Sequence, residues 1–415
     1  MKSGVAVRWS VLLILLWFFG FASQAQTPPA KSVLIEVPVR VYSGNQFVEI
    51  LRPEDFELLE DGRPQKVEAL YLLEKGQIVR EEALPETGFR PQTSRVFYLF
   101  FQMTEYFPKI EEAIEYLFKD VLRPGDSVTL ITPLKPYSLS PQALTLKTKE
   151  SLAKEMNSLL RKDIQKGAGE YRALLNELKR LVRTIAGPGV NRDADPETGD
   201  VDALNAGGTF SLEMMLTHYK ENVQKLESLR LVEPKKFVSV AELLRGGGGQ
   251  KFVFFFYQRE FRPEISSNVL DKLMMENQDR DDIRASLSDL FQFYSRDISF
   301  DLSKVSQAFA DCGANFNFIF IDNQAKYQYG VTMREQSEDV FRIFNQIVRV
   351  TGGGAMDNSQ NPGAGFKKMA DNAGKYYLLY YTPSNPQKDG TFRTISVRVK
   401  DKDYSVSYRL GYFAK

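Results

Sequence analysis

Apolar and polar residues alternate with a period of two at both ends of this chain and follow other rhythms in between. Ser32 to Tyr42 alternates, is rich in β-branched residues and runs into a Ser43-Gly44-Asn45 turn, which predicts a strand. Pro38 makes it an edge strand or a bulged one, because proline donates no ladder hydrogen bond. Asp55–Asp61 and Gln65–Glu74 alternate as well, across the turn Asp61-Gly62-Arg63-Pro64. At the other end, Phe392–Lys400 and Tyr404–Leu410 flank an Asp401-Lys402-Asp403 turn. So few strands cannot bury a face alone, so the two ends, 31–90 and 384–415, are expected to pair into one β-sandwich-like domain.

The middle reads differently. Arg95–Phe101, Lys251–Tyr257, Asn315–Ile321 and Lys375–Tyr381 are continuous apolar runs, as expected for strands buried on both faces, and Ser127–Thr132 is a further strand. Ile110, Ala113, Ile114, Leu117, Phe118 and Val121 fall on one helical stripe. Short buried strands separated by helices predict an α/β core with a doubly wound, mostly parallel sheet and right-handed crossovers over 94–383. A helical insertion is expected at about 148–245. Its stripes include Leu152, Met156, Leu159 and Leu160, then Leu174, Leu175, Leu178 and Leu181. Within it lie an acidic loop, 191–205, and a further helix from about Thr209 to Leu229. The glycine run Gly246–Gly249 gives slack before the Phe-rich strand.

The first 25 residues read as an export signal. Lys2 and Arg8 precede the apolar run Val11–Phe21, and Ser23 and Ala25 fit the −3 and −1 positions of signal peptidase. The run is short for a spanning helix, which needs roughly 20 apolar residues. Cleavage after Ala25 therefore predicts an exported protein, periplasmic or secreted, with no membrane span once the signal is removed. The alternative is an uncleaved anchor.

Composition narrows the chemistry. The chain has 415 residues, 43% hydrophobic and 26% charged, with a formal net charge of +1, which is globular and near neutral. Nothing in it suggests a polyelectrolyte surface for nucleic acid. One histidine, His218, and one cysteine, Cys312, exclude a Cys/His zinc site and an intrachain disulfide. His218 sits at the margin of an apolar helical stripe, and Cys312 precedes a buried strand, so both read as structural. Gly246–Gly249 lacks the Gly-Lys-Ser/Thr context of a phosphate loop and reads as a hinge. No catalytic constellation remains.

Several short motifs, taken in order, carry a resemblance. Asp55-Phe56 followed by Glu60-Asp61-Gly62-Arg63-Pro64-Gln65 opens the chain, and Thr351-Gly352-Gly353 forms a glycine-rich turn before the last helix. The end reads Tyr377-Leu-Leu-Tyr-Tyr-Thr-Pro383, then Asp389-Gly390-Thr-Phe-Arg393 and Arg409-Leu-Gly-Tyr-Phe413. From about Val33 onward, apart from the helical insertion, the chain resembles the exported von Willebrand factor type A-related proteins of the acidobacterial type. That resemblance implies a Rossmann-like type A domain able to carry a metal-ion-dependent adhesion site. Such a site uses an Asp-x-Ser-x-Ser motif after the first strand, a Thr from a Gly-Gly-Thr turn and a second Asp.

Measured against that pattern the site is degenerate. Gln102 stands in place of the first Asp, Thr104 and Tyr106 in place of the two Ser, and Gln258 in place of the second Asp; Thr209 survives after Gly207-Gly208. An amide is a poor ligand for a hard divalent cation, so no metal and no other cofactor is expected. Two alternatives stay open. Glu105 or Glu260 can supply the missing carboxylate, or Asp193, Asp195, Glu197, Asp200 and Asp202 of the acidic loop can bind calcium, although Thr198 and Leu204 break the calcium-loop pattern. The expectation is an exported, non-enzymatic binding or scaffold protein that meets a protein partner at the rim Gln102, Thr104, Tyr106, Thr209 and Gln258. Its rivals are a metal-dependent adhesion module and an enzyme of unfamiliar type.

Overall fold

A computed structural model describes residues 34–83, 91–187, 212–229, 234–294, 302–325 and 331–415. The export signal, the acidic loop and Gly207-Gly208-Thr209 lie outside the described residues.

The N-terminal part is all β: β1 (Ile35–Ser43), β2 (Gln46–Phe47), β3 (Phe56–Glu60), β4 (Arg63–Gln65), β5 (Ala69–Glu74) and β6 (Gln77–Ala83). Next come β7 (Arg95–Gln102), α1 (Ile110–Tyr116), β8 (Ser127–Ile131), β9 (Pro136–Leu139), α2 (Pro141–Thr145), α3 (Lys149–Gly167) and α4 (Gly169–Ala186). After them lie α5 (Leu212–Ser228), α6 (Pro234–Gly246), β10 (Gln250–Gln258), β11 (Phe261–Ile265), α7 (Ser267–Glu276), α8 (Asp281–Tyr294) and α9 (Leu302–Asp311). The remainder is β12 (Ala314–Ile321), β13 (Val331–Glu335), α10 (Glu338–Thr351), β14 (Ala355–Ser359), α11 (Pro362–Ala373), β15 (Lys375–Tyr381), β16 (Phe392–Val399), β17 (Ser405–Tyr408) and β18 (Gly411–Phe413).

The expected doubly wound, mostly parallel, Rossmann-like architecture is corrected by the strand pairing. The fold is mixed α/β with mostly antiparallel sheets, one of them curled into a half-barrel. That curled sheet runs β17-β1-β15-β5-β6, a second runs β18-β16-β3-β4, and β11 pairs with β13; all of these pairings are antiparallel. Parallel pairing is confined to the sheet β14-β12-β10-β7-β8-β9, where even β9 is antiparallel.

The physical reason lies in β15. Its run KYYLLYY is apolar on both faces, which sequence reasoning assigned to the parallel sheet. It pairs antiparallel with β1 and β5 instead. Tyr376, Leu378 and Tyr380 enter one core with Phe97, Phe101, Phe252 and Phe256, while Tyr377, Leu379 and Tyr381 enter another with β1, β3 and β16. Two-sided burial fixes composition, not strand direction.

Three cores flank the sheets and a fourth stands beside them. One face of the parallel strands packs on α1, α3 and α11, and the other on α6, α9 and α10, where Phe344 lies 4.3 Å from Phe255 between ring centroids. The two antiparallel sheets enclose the third core in a sandwich-like arrangement of Val37, Val39, Leu58, Leu379 and Val397. The helices of the insertion do not share one core. The α3 and α6 helices belong to opposite faces of the parallel sheet, whereas α4 and α5 pack with α7 and α8 in the fourth. Among the described residues, no helix is long and apolar enough to cross a membrane.

Arg40 joins these layers. It is buried on β1, and its Nη1 donates to the Gly352 carbonyl at 3.4 Å and its Nη2 to the Ala373 carbonyl at 3.1 Å. Those carbonyls close α10 and α11, so a buried cation sits at two helix C-termini, where the helix dipole is negative. Its guanidinium also lies 5.1 Å from the Tyr376 ring centroid.

Candidate functional site: a closed rim

The strands β7 and β10 are parallel neighbours, with Tyr257 opposite Gln102, so their C-terminal ends emerge side by side. Gln258 is 2% exposed. Its Oε1 accepts from the Thr104 amide at 2.9 Å, the Glu105 amide at 3.0 Å and the Thr104 hydroxyl at 3.2 Å. A carbonyl oxygen has two lone pairs, so three donors saturate it.

Two helices of the insertion hold the same loop from outside. Arg172 of α4 donates to the Thr104 carbonyl at 2.8 Å and to the Gln165 carbonyl at the end of α3. Arg161 of α3 lies 5.6 Å from the Tyr106 ring centroid. Desolvation, followed by the nearby Glu111 carboxylate, raises the Tyr106 hydroxyl above its usual range, against a smaller opposing effect of Arg161. What remains open to solvent is Glu105, Pro108 and Lys109.

On the β10 side, Arg259 pairs with Asp322 at 3.0 Å and Glu335 at 3.3 Å and covers the Phe320 ring. Glu260 is 3% exposed and turned toward the start of α10: its amide donates to the Ser337 hydroxyl at 2.8 Å, and its carbonyl accepts from the Gln336 amide.

Of the five rim residues singled out in the sequence, the fold thus brings Thr104 and Gln258 into contact. It sets Tyr106 on the same loop facing Arg161 and leaves Gln102 half-buried beside Tyr257. Thr209 is outside the described residues. Arg161 and Arg172 were not anticipated. They sit on solvent-facing turns of amphipathic helices, and no local pattern marks them as rim residues.

This arrangement does not fit a hard cation. Such an ion needs carboxylates with free lone pairs. Here the Gln258 oxygen is fully used by protein donors, and the Thr104 hydroxyl gives its proton to it. Among the described residues, no group of three or more His, Cys, Asp or Glu side chains is placed to hold a metal.

The two scarce nucleophile types stand apart from the rim. His218 of α5 is half exposed and 3.5 Å from Glu177. Cys312 is buried, its Sγ donates to the Phe309 carbonyl at 3.0 Å, and burial pushes its thiol up to about 11.

No known family profile matches the chain, and no curated protein matches it. Among solved structures it is similar to the human COPII-coat protein Sec24c, at 8% identity and a TM-score of 0.28. That likeness covers 80% of this chain and 45% of the other, so the chain spans less than half of that protein. A score of this size carries no argument about fold or function.

Proposed function

We propose that this chain is an exported, non-enzymatic protein that binds or scaffolds a protein partner through the rim at the ends of β7 and β10, without a metal ion. The relation to the von Willebrand factor type A-related proteins enters the proposal through its motifs at both ends of the chain, not through the arrangement of its sheets. The observation that carries the reading is the saturated side-chain carbonyl oxygen of Gln258. It does internally, with a neutral side chain, what a bound cation does in an adhesion site: it ties the loop after one strand to the end of its neighbour.

Arg172 and Arg161 stiffen the same loop from outside. A loop held at both flanks presents Glu105, Pro108 and Lys109 with little ordering cost on binding, which favours recognition of a folded surface. The near-neutral net charge favours a protein over a nucleic acid.

The test measures the melting temperature of the mature protein in millimolar Mg²⁺, Mn²⁺ or Ca²⁺. A ligand specific to the folded state adds roughly 2.7 kcal/mol at a hundredfold excess over its Kd. The expected result is no shift with any of the three. A cation-dependent rise that disappears in Thr104→Ala would sink the metal-free reading and favour a metal-dependent adhesion module.

A further inference from the structure

We propose that the cleft between the β5–β6 turn and the turn after α1 binds a small polyanion carrying two or more phosphate or carboxylate groups. The cleft has a volume of about 760 Å³, with walls that include Lys75, Thr93, Ser94, Arg123 and Asp126. That volume suits a metabolite-sized ligand. Val79 and Pro124 are its aliphatic side chains among charged and polar neighbours, which disfavours an apolar ligand.

Charge accounting gives the sign of the ligand. Two carboxylates line the cleft. Asp126 is held by Arg95 through contacts of 2.6 and 3.1 Å and by the Arg123 amide, whereas Glu74 shares Lys375 with Glu49, at 3.2 and 2.7 Å. Two cations line it too, and among the described residues neither the Lys75 ammonium nor the Arg123 guanidinium has a carboxylate partner. The cleft therefore presents two cations without carboxylate partners against one carboxylate that shares its lysine, an excess of positive charge suited to an anion.

The backbone supplies an independent observation. Lys75 and Gly76 form the two-residue turn between Glu74 and Gln77, with φ of +49° and +82°. Such a turn favours Asn or Asp before Gly, because a left-handed conformation is strained for a long side chain. The other two non-glycine residues at positive φ among the described residues, Asp61 and Asp401, are both aspartates, and Asp61 precedes Gly62. Lysine is held against that preference at the wall of the cleft, its amide donating to the Gly374 carbonyl at 2.7 Å, and local strain of this kind collects at functional sites.

The inference does not depend on the rim. It is tested by calorimetric titration of the full chain, at low ionic strength, with pyrophosphate and with citrate. Saturable binding of at least one is expected, weakened about tenfold by either Lys75→Gly or Arg123→Gln, the loss of one charge-assisted hydrogen bond. Which probe binds separates a phosphate ligand from a carboxylate one. Lys75→Gly relieves the left-handed strain, so that variant should unfold at the same or a higher urea concentration. Loss of binding in a protein of undiminished stability cannot be ascribed to misfolding. Binding of neither probe, or binding that both variants leave unchanged, overturns the proposal.

Discussion

Replacing Arg40 separates two opposing electrostatic effects. Burial pushes the guanidinium's pKa downward, with lesser opposing effects of Tyr42 and Tyr376. The sign is unfavourable: at every workable pH the folded state holds this proton less tightly than the unfolded chain, so the charge costs stability unless something offsets it. The offset comes from the C-termini of α10 and α11, each worth up to ~2 kcal/mol to a partly buried cation. In Arg40→Met the cost of burying the charge disappears together with that attraction. Gly352 keeps donors from Asn315 at 2.8 Å and Ser407 at 2.7 Å, whereas the Ala373 carbonyl loses the guanidinium. An orphaned buried carbonyl costs about 1–3 kcal/mol. The expected net loss is about 2 kcal/mol for Arg40→Met, and about 4 kcal/mol for Arg40→Ala, which adds a cavity. Urea denaturation followed by circular dichroism reads both, as a lower midpoint at unchanged slope. If Arg40→Met proved as stable as the parent or more so, the helix termini would not be offsetting the buried charge and the argument would fail.

Two further outcomes follow from particular contacts. A Cβ on Gly353 would lie 1.8 Å from the Phe316 carbonyl oxygen, so Gly353→Ala should cost about 3 kcal/mol or more; an unchanged urea midpoint would show that β12 and the turn before β14 separate freely. Cys312 should resist a water-soluble disulfide reagent at pH 8 while the protein is folded and react at the unfolding rate. Because its thiol rises from 9.0 to about 11 on folding, stability should also fall as pH climbs between those values; fast native-state labelling at pH 8 would contradict both statements.

Much of the local structure was legible, and the reasons are physical. Arg95–Phe101, Lys251–Tyr257 and Asn315–Ile321 announce themselves as strands because both of their faces are covered by helices. Thr148 marks the start of α3, and its hydroxyl accepts from the Ser151 amide. Strand direction was not legible. Lys375–Tyr381 has the same composition as the parallel strands, yet its partners are β1 and β5. Gln77–Ala83 and Pro136–Leu139 went unseen because edge strands carry charges, polar residues and proline rather than a clean alternation. At the rim, Gln258 and Thr104 could be picked out because a known motif pointed to their positions. Arg172 could not, since its contact with Thr104 spans 68 residues and leaves no periodic trace.

The pairing of β1 with β15 also sets an order of events during synthesis. Glu36 and Tyr380, hydrogen-bonded in the finished protein, are 344 residues apart. A ribosome adding roughly 5–20 residues per second leaves the first strand without its neighbour for tens of seconds. Throughout that interval Val37, Val39 and Val41 lack the part of their core that β15 and β16 supply, and the nascent chain exposes an apolar strand able to pair with other chains. The hairpins β3–β4 and β5–β6 need only neighbouring residues, whereas β1 gains its long partner only when residues 375–381 arrive.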